Sequence, residues 1–195
     1  MKIKLAFPDN PVFARLIKRK EEICREYDVE IYPVNEVQTS ILMLQNRVDA
    51  AFLTPLGFGM GVTKIDYRII PGMAFAAQGF TKLASVFFKK NLFTVEKCVS
   101  PHPDDFLTLI GKLLLAERYG IIVDLQKSSG SIEDMLVNAD CVISRYLPGM
   151  EPAFDIGEEW SLTNDFPLPL GFWCVRAEEY PPKIIELINS LADSA

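Results

Sequence analysis

Histidine occurs once, at position 102, and the four cysteines, Cys24, Cys98, Cys141 and Cys174, stand too far apart to form any C-x-x-C pair. That scarcity argues against a zinc site or a disulfide framework, so no metal ligands and reduced thiols are expected. The chain has no G-x-S-x-G, no glycine-rich phosphate loop and no H-E-x-x-H, which leaves hydrolase, nucleotide-binding and metalloprotease readings without support. It also lacks an excess of basic residues. With 20 Lys and Arg against 26 Asp and Glu, the net charge is -6, the wrong sign for general affinity toward nucleic acid or an anionic membrane. No apolar run approaches the ~20 residues of a membrane span. The opening Met1 to Phe7 meets Pro8-Asp9-Asn10-Pro11 before any run of export-signal length, so the expectation is a soluble, cytoplasmic protein.

What is present is an ordinary globular balance: 195 residues, 49% hydrophobic and 24% charged, without repeats or low-complexity segments. That length allows one large domain or two lobes of about 100 residues each. An acidic surface still permits anion binding, because a buried Arg or a helix N-terminus acts locally while surface charge is screened within roughly 8–10 Å.

Lys2 to Phe7 reads as a buried strand, and Asn10 with Pro11 opens a helix reaching about Tyr27. Val29 to Pro33 is a second strand, a helix from Asn35 or Glu36 runs through Asn46, and Asp49 to Leu53 is a third strand. This β-α-β-α-β order predicts an α/β protein with a mainly parallel sheet, ligands lying beyond the strands' carboxyl ends. The turns Pro8 to Pro11 and Thr54 to Gly61 should then line a cleft. Tyr67 to Ala77 and Leu83 to Lys89 are strand-like and are separated by the polar break Gln78 to Lys82, where the chain passes into a second lobe. In that lobe Cys98-Val99, Ile121 to Leu125 and Cys141 to Ser144 read as strands. Pro103 to Tyr119 is a long helix capped by Gly120, and Ile132 to Val137 is a helical turn. Pro167-Leu168-Pro169 interrupts the chain, Gly171 to Val175 returns as a strand, and Pro181 opens a last helix to Leu191. The division is 1–80 and 170–195 for lobe one and 81–169 for lobe two, joined by a two-strand hinge.

Several segments carry a resemblance in the same order and with similar spacing. They are Asn46-Arg47-Val48-Asp49-Ala50-Ala51-Phe52-Leu53-Thr54-Pro55, Tyr67-Arg68-Ile69-Ile70-Pro71, Asp155-Ile156-Gly157-Glu158-Glu159-Trp160, and Phe166-Pro167 through Phe172-Trp173-Cys174-Val175-Arg176. Together they resemble the chorismate dehydratase (MqnA) group of the futalosine route to menaquinone, over roughly residues 42 to 176. The resemblance implies a type II periplasmic-binding-protein-like fold, no cofactor, and a carbon–oxygen lyase that removes water from a chorismate-like acid. The site motifs diverge: Phe7-Pro8-Asp9-Asn10 stands where the family has Tyr-Leu-Asn, Leu83 where it has a serine, and Tyr146-Leu147 where it has Gly-Asp. The chain also ends soon after the strand at Val175, where relatives continue. The alternative is a non-catalytic binding protein for a small carboxylate.

A small anionic ligand wants fixed cations and hydrogen-bond donors. Arg145, following the strand Cys141 to Ser144, is the best cation, its guanidinium fork suiting a carboxylate; the plainer reading is a surface Arg paired with an acid. Thr81 and Lys82 sit at the first crossing, though a lysine there is as readily solvated. Thr54 is a further substrate-binding candidate, and Asn10 and Ser100 are the catalytic candidates; each of these three equally suits a helix cap or a turn. His102 is better placed in an exposed turn before a helix than as a base, and Trp160 and Trp173 are better read as packing residues.

Overall fold

The computed structural model describes residues 2–178 and 182–191. They form two compact units, Met1–Phe75 with Pro169–Ala195 and Ala76–Leu168. In unit 1, strand β1 (Ile3–Pro8) leads through a 3-10 helix (Pro11–Ile17) and α1 (Lys20–Glu26) to β2 (Val29–Val34), α2 (Glu36–Leu44), β3 (Ala50–Leu53) and α3 (Pro55–Val62). The chain leaves the unit within β4 (Tyr67–Ala77) and re-enters within β10 (Leu168–Arg176), and the last described element is α7 (Pro182–Leu191). The sheet order is β2-β1-β3-β10-β4; β1 runs parallel to β2 and β3, and β10 is antiparallel to β3 with Trp173 opposite Phe52.

Strand alternation sorts this unit's core by size. Phe7, Phe52 and Trp173 share one face with Phe13 of the 3-10 helix, all nearly inaccessible, with ring centroids 5.1–5.9 Å apart for the pairs Phe13–Phe52, Phe7–Phe52, Phe7–Trp173 and Phe52–Trp173. Burying each such side chain contributes roughly 2–3 kcal/mol. The opposite face carries Ala6, Ala51, Leu53 and Cys174, where Met43 of α2, Val48 and Tyr67 pack.

Unit 2 contains β5 (Ala84–Phe88), β6 (Cys98–Ser100), α4 (Phe106–Tyr119), β7 (Leu125–Lys127), α5 (Ile132–Asn138), β8 (Cys141–Arg145), β9 (Phe154–Asp155) and α6 (Ile156–Thr163). Its sheet order is β7-β6-β8-β5-β9, parallel between β6 and both β7 and β8 and antiparallel where β5 meets β8 and β9. One face packs α5 through Ile132, Met135 and Ala139 onto Phe87, Val99 and Val142. The other packs α4, whose Gly111 lets the helix approach Ile143 and Ile156: an added Cβ there would lie 2.9 Å from Ile156 and 3.1 Å from Ile143. The mixed α/β character with two sheets flanked by helices agrees with the expected class.

Four local expectations need correction. The single helix expected from Asn10 to Tyr27 is two pieces, because the inward residues Phe13 and Leu16 recur at three, the period of a 3-10 helix, and the charged run Lys18 to Glu22 separates them from Ile23. Thr54 to Gly61 is not a turn: Thr54 caps α3 and Pro55 presets its first residue. The helical glycines Gly57 and Gly61 admit the Ser40 hydroxyl and the Tyr67 ring, which a Cβ would strike. The strand expected at Ile121 to Leu125 lies later, at Leu125–Lys127. Gly120 (φ +67°) closes α4, its N–H donating to the Ala116 carbonyl and the Ile121 N–H to that of Leu115, and Ile121 to Asp124 serve as the connection. Finally, β10 begins at Leu168 and passes through Pro169, tolerated at the start of a strand. The expected helix start at Pro181 lies outside the described residues; Pro182 opens α7.

Candidate functional site

In unit 1 the parallel strands β1, β2 and β3 end along one edge of the sheet, each followed by a residue that caps the next helix. Asn10 Oδ1 accepts the Val12 N–H at 3.1 Å, Asn35 Oδ1 accepts that of Gln38 at 2.7 Å, and Thr54 Oγ1 accepts that of Gly57 at 3.2 Å. These bonds satisfy donors that a helix start leaves open. Asn10 does more. Its Nδ2 donates to Glu36 Oε1 at 3.0 Å, and both residues are buried, as are Ser40 and Thr54. Glu36 was not singled out from sequence; its place directly after the cap Asn35, where a carboxylate suits the helix dipole, was the available signal.

In unit 2 the carboxyl ends of β6, β7, β8 and β9 share one edge with the start of the antiparallel β5. Thr81, Lys82, Ser100 and Arg145 therefore lie along the same edge of one sheet. Asp155, 1% exposed, organises it. Its Oδ1 accepts the Thr81 N–H, the Thr81 hydroxyl, and the Gly157 and Glu158 N–H groups at 3.0–3.1 Å, while Oδ2 accepts the Lys82 N–H at 2.9 Å. Five donors converge on one carboxylate. It caps α6 and pins the segment Phe80 to Lys82, in which Lys82 holds a left-handed φ of +55°. Gly157 is needed there because a Cβ would run into Thr81.

The Lys82 ammonium lies 5.9 Å from the Phe80 ring centre and 5.7 Å from that of Tyr146. Arg145 Nη2 donates to Asp105 Oδ2 at 3.1 Å, the acid pairing allowed for from sequence, yet its Nε is buried and has no partner among the described residues. Ser100, fully buried, accepts the His102 N–H at 3.1 Å on Oγ, and its hydroxyl proton stays available to a further acceptor; His102 itself is exposed. Ser85 Oγ is also buried without a partner among the described residues, opposite Ser144 and Asp155 in the ladder. Behind this edge, Glu159 accepts the Tyr119 hydroxyl at 2.7 Å and pairs with Arg118 at 2.8 Å, joining α4 to α6; burial first, then this bond, pushes the Tyr119 phenol up. Much of the Asp-Ile-Gly-Glu-Glu-Trp segment thus has structural work. Among the described residues no group of three or more His, Cys, Asp or Glu side chains could hold a metal, and no helix is long and apolar enough to cross a membrane.

No family model and no curated protein matches the chain. Solved structures do. Protein AF1704 from Archaeoglobus fulgidus superposes with a TM-score of 0.68 at 14% identity over 97% of this chain and 75% of that one. An ABC-transporter periplasmic substrate-binding protein from Coxiella burnetii gives 0.56 at 12% identity over 97% and 91%. The alkanesulfonate-binding protein SsuA from Xanthomonas axonopodis pv. citri, bound to MOPS, gives 0.60 at 13% over 97% and 72%. The fold is the two-lobed, periplasmic-binding-protein-like one. At these identities the likeness is one of fold, and function has to be argued from side chains.

Proposed function

We propose that the chain binds a small carboxylate along the strand-end edge of unit 2, with Arg145 and Lys82 as its cations. The observation that carries this reading is the Arg145 guanidinium, which is held by Asp105 through Nη2 and keeps a buried Nε–H without a partner among the described residues. A carboxylate can approach the exposed third of the Arg145 side chain and take a charge-assisted hydrogen bond there without displacing Asp105. Lys82, fixed through its backbone N–H by Asp155, adds a second positive charge, and the Ser100 hydroxyl adds a neutral donor. In unit 1, Thr54 and Asn10 keep to that unit's own strand-end edge, where they cap α3 and the 3-10 helix. The fold's occurrence in an alkanesulfonate-binding protein bound to MOPS supports an anionic ligand.

The ordered segments shared with chorismate dehydratases favour a second reading, in which the bound acid is chorismate-like and loses water. That step needs a base for the ring proton and a proton for the departing hydroxyl. One experiment addresses both. Chorismate and simpler carboxylates are titrated calorimetrically into the native chain and into Arg145→Gln, and the chorismate sample is then followed by mass spectrometry. Binding that weakens at least about tenfold in Arg145→Gln, with chorismate recovered intact, supports the binding reading; loss of one water from chorismate establishes the lyase. Absence of carboxylate binding, or equal binding by the variant, ends the first reading.

A further inference from the structure

A concavity lies at the other edge of the unit 2 sheet. Since β5 runs antiparallel to β8, it ends at Phe88 beside the amino ends of β6 and β8, away from Arg145. There the end of β5, one face of α5 and the segment Met150–Ala153 enclose about 900 Å³. Phe88, Leu136, Val137 and Met150 supply apolar wall, continuous through Leu136 and Met150 with the core cluster under α5. The exposed Lys90, Glu133 and Glu151 stand at the rim.

Beside this groove stands a knob. Phe93 is fully exposed, three residues beyond Lys90 and so within about 10 Å of the rim along the chain. The base of its loop is clamped at Asp140. The Asp140 carbonyl accepts the Lys89 N–H at 2.9 Å, its N–H donates to the Lys97 carbonyl at 2.9 Å, and its carboxylate accepts the Glu96 and Lys97 N–H groups at 3.0 Å. An aromatic ring held fully in water on an anchored loop forgoes the roughly 2–3 kcal/mol that its burial would supply.

We propose that this face is a contact between two copies of the chain, the Phe93 of each entering the groove of the other across a two-fold axis. Knob and hole are adjacent on one chain, as a closed, isologous contact requires. The rim argues for a second copy over other occupants, because it carries both signs: Lys90 stands there with Glu133 and Glu151, while Lys89 Nζ is held by the Val137 carbonyl at 3.1 Å. A two-fold rotation can set Lys90 of one copy against a glutamate of its partner, whereas a rim of one sign would repel its own copy.

Sedimentation velocity on the full chain from about 1 to 100 µM tests this, with circular dichroism confirming that each variant is folded. The native chain should move from 22.0 kDa toward twice that mass as concentration rises. Phe93→Ser and Val137→Arg, both at exposed positions, should each weaken association at least about tenfold. A chain that stays monomeric throughout, a dimer indifferent to either substitution, or a monomer whose groove takes up a small amphiphile instead overturns the proposal.

Discussion

The Asp155 carboxylate is where the local structure of unit 2 is most concentrated, and replacing it separates architecture from binding. Asp155→Ala leaves five donors, four backbone N–H groups and the Thr81 hydroxyl, without their acceptor in a site 1% exposed. Bonds to a charged group contribute about 1.5–3 kcal/mol each when removed singly, and bonds sharing one acceptor do not add, so a loss of roughly 4 kcal/mol is expected. Asp155→Asn is the sharper test. Its amide oxygen can keep the four bonds now made to Oδ1, but its NH2 then faces the Lys82 N–H, donor against donor, where the carboxylate accepts at 2.9 Å. Adding the lost charge at the α6 N-terminus gives roughly 2 kcal/mol. Urea unfolding followed by tryptophan fluorescence reads both, and the signal can be divided because Trp160 belongs to unit 2 and Trp173 to unit 1. At a typical slope of about 2 kcal/mol per molar urea, the midpoint of the unit 2 signal should fall by about 2 M for Ala and about 1 M for Asn. An Ala variant within about 1 kcal/mol of native, or an Asn variant indistinguishable from it, would show that the converging donors do not hold this edge together.

Backbone N–H groups of Lys97 and then Glu96 hold the Asp140 carboxyl below its ordinary range, so its contribution is present above about pH 3.9 and is lost as pH falls through the lower folded value. Asp140→Asn should flatten the acid limb of the stability profile below about pH 4; an unchanged limb refutes the assignment. Burial pushes the Cys174 thiol up to about 12, and Cys141 is raised by its hydrogen bond with Cys98 and by burial. At pH 8 a maleimide should therefore modify the partly exposed Cys24 first and reach Cys98, Cys141 and Cys174 only on unfolding; mass spectrometry showing early adducts at any of those three would contradict this packing. Asp105→Asn keeps an amide oxygen to accept the Arg145 Nη2 proton but removes the competing charge 3.1 Å away, and should tighten carboxylate binding severalfold by calorimetry, whereas unchanged affinity places the anion elsewhere.

The sequence was most legible where the signal is local. Alternating strands and helices through Leu53 and the Gly120 cap at φ +67° follow from periodicity and capping within a few residues. Topology misled at Thr54 to Gly61, read as the turn after the third strand, although the segment is helical and Gly57 and Gly61 are spent on close approach to Ser40 and Tyr67, contacts made outside the helix. The site was legible in part. Thr81, Lys82, Ser100 and Arg145 could be placed at strand ends, but the bonds that fix them join Asp155 to residues 73 and 74 positions away and Arg145 to one 40 positions away. Side-chain hydrogen bonds over such separations leave no periodic trace. Glu36 was hidden in the same way, its partner Asn10 lying 26 residues earlier.

These separations also decide which groups remain free to recognise a ligand. Asn10, Thr54, Thr81 and Ser100 each already hold backbone or carboxylate in place, so removing any of them disturbs the fold together with whatever it binds. The Lys82 ammonium and the Arg145 Nε are different. Lys82 is anchored by its backbone N–H, leaving its side chain against two rings; Arg145 is anchored by Nη2, leaving Nε directed at no described acceptor. In both residues one donor sets position and another is left over, which is the arrangement that pre-organises a cation for an incoming anion at small cost in ordering. On the proposed reading, specificity at this edge would rest on two cations whose placement depends on Asp155 and Asp105. The acids around them, which at first sight oppose an anionic ligand, are what hold the positive charges where such a ligand can use them.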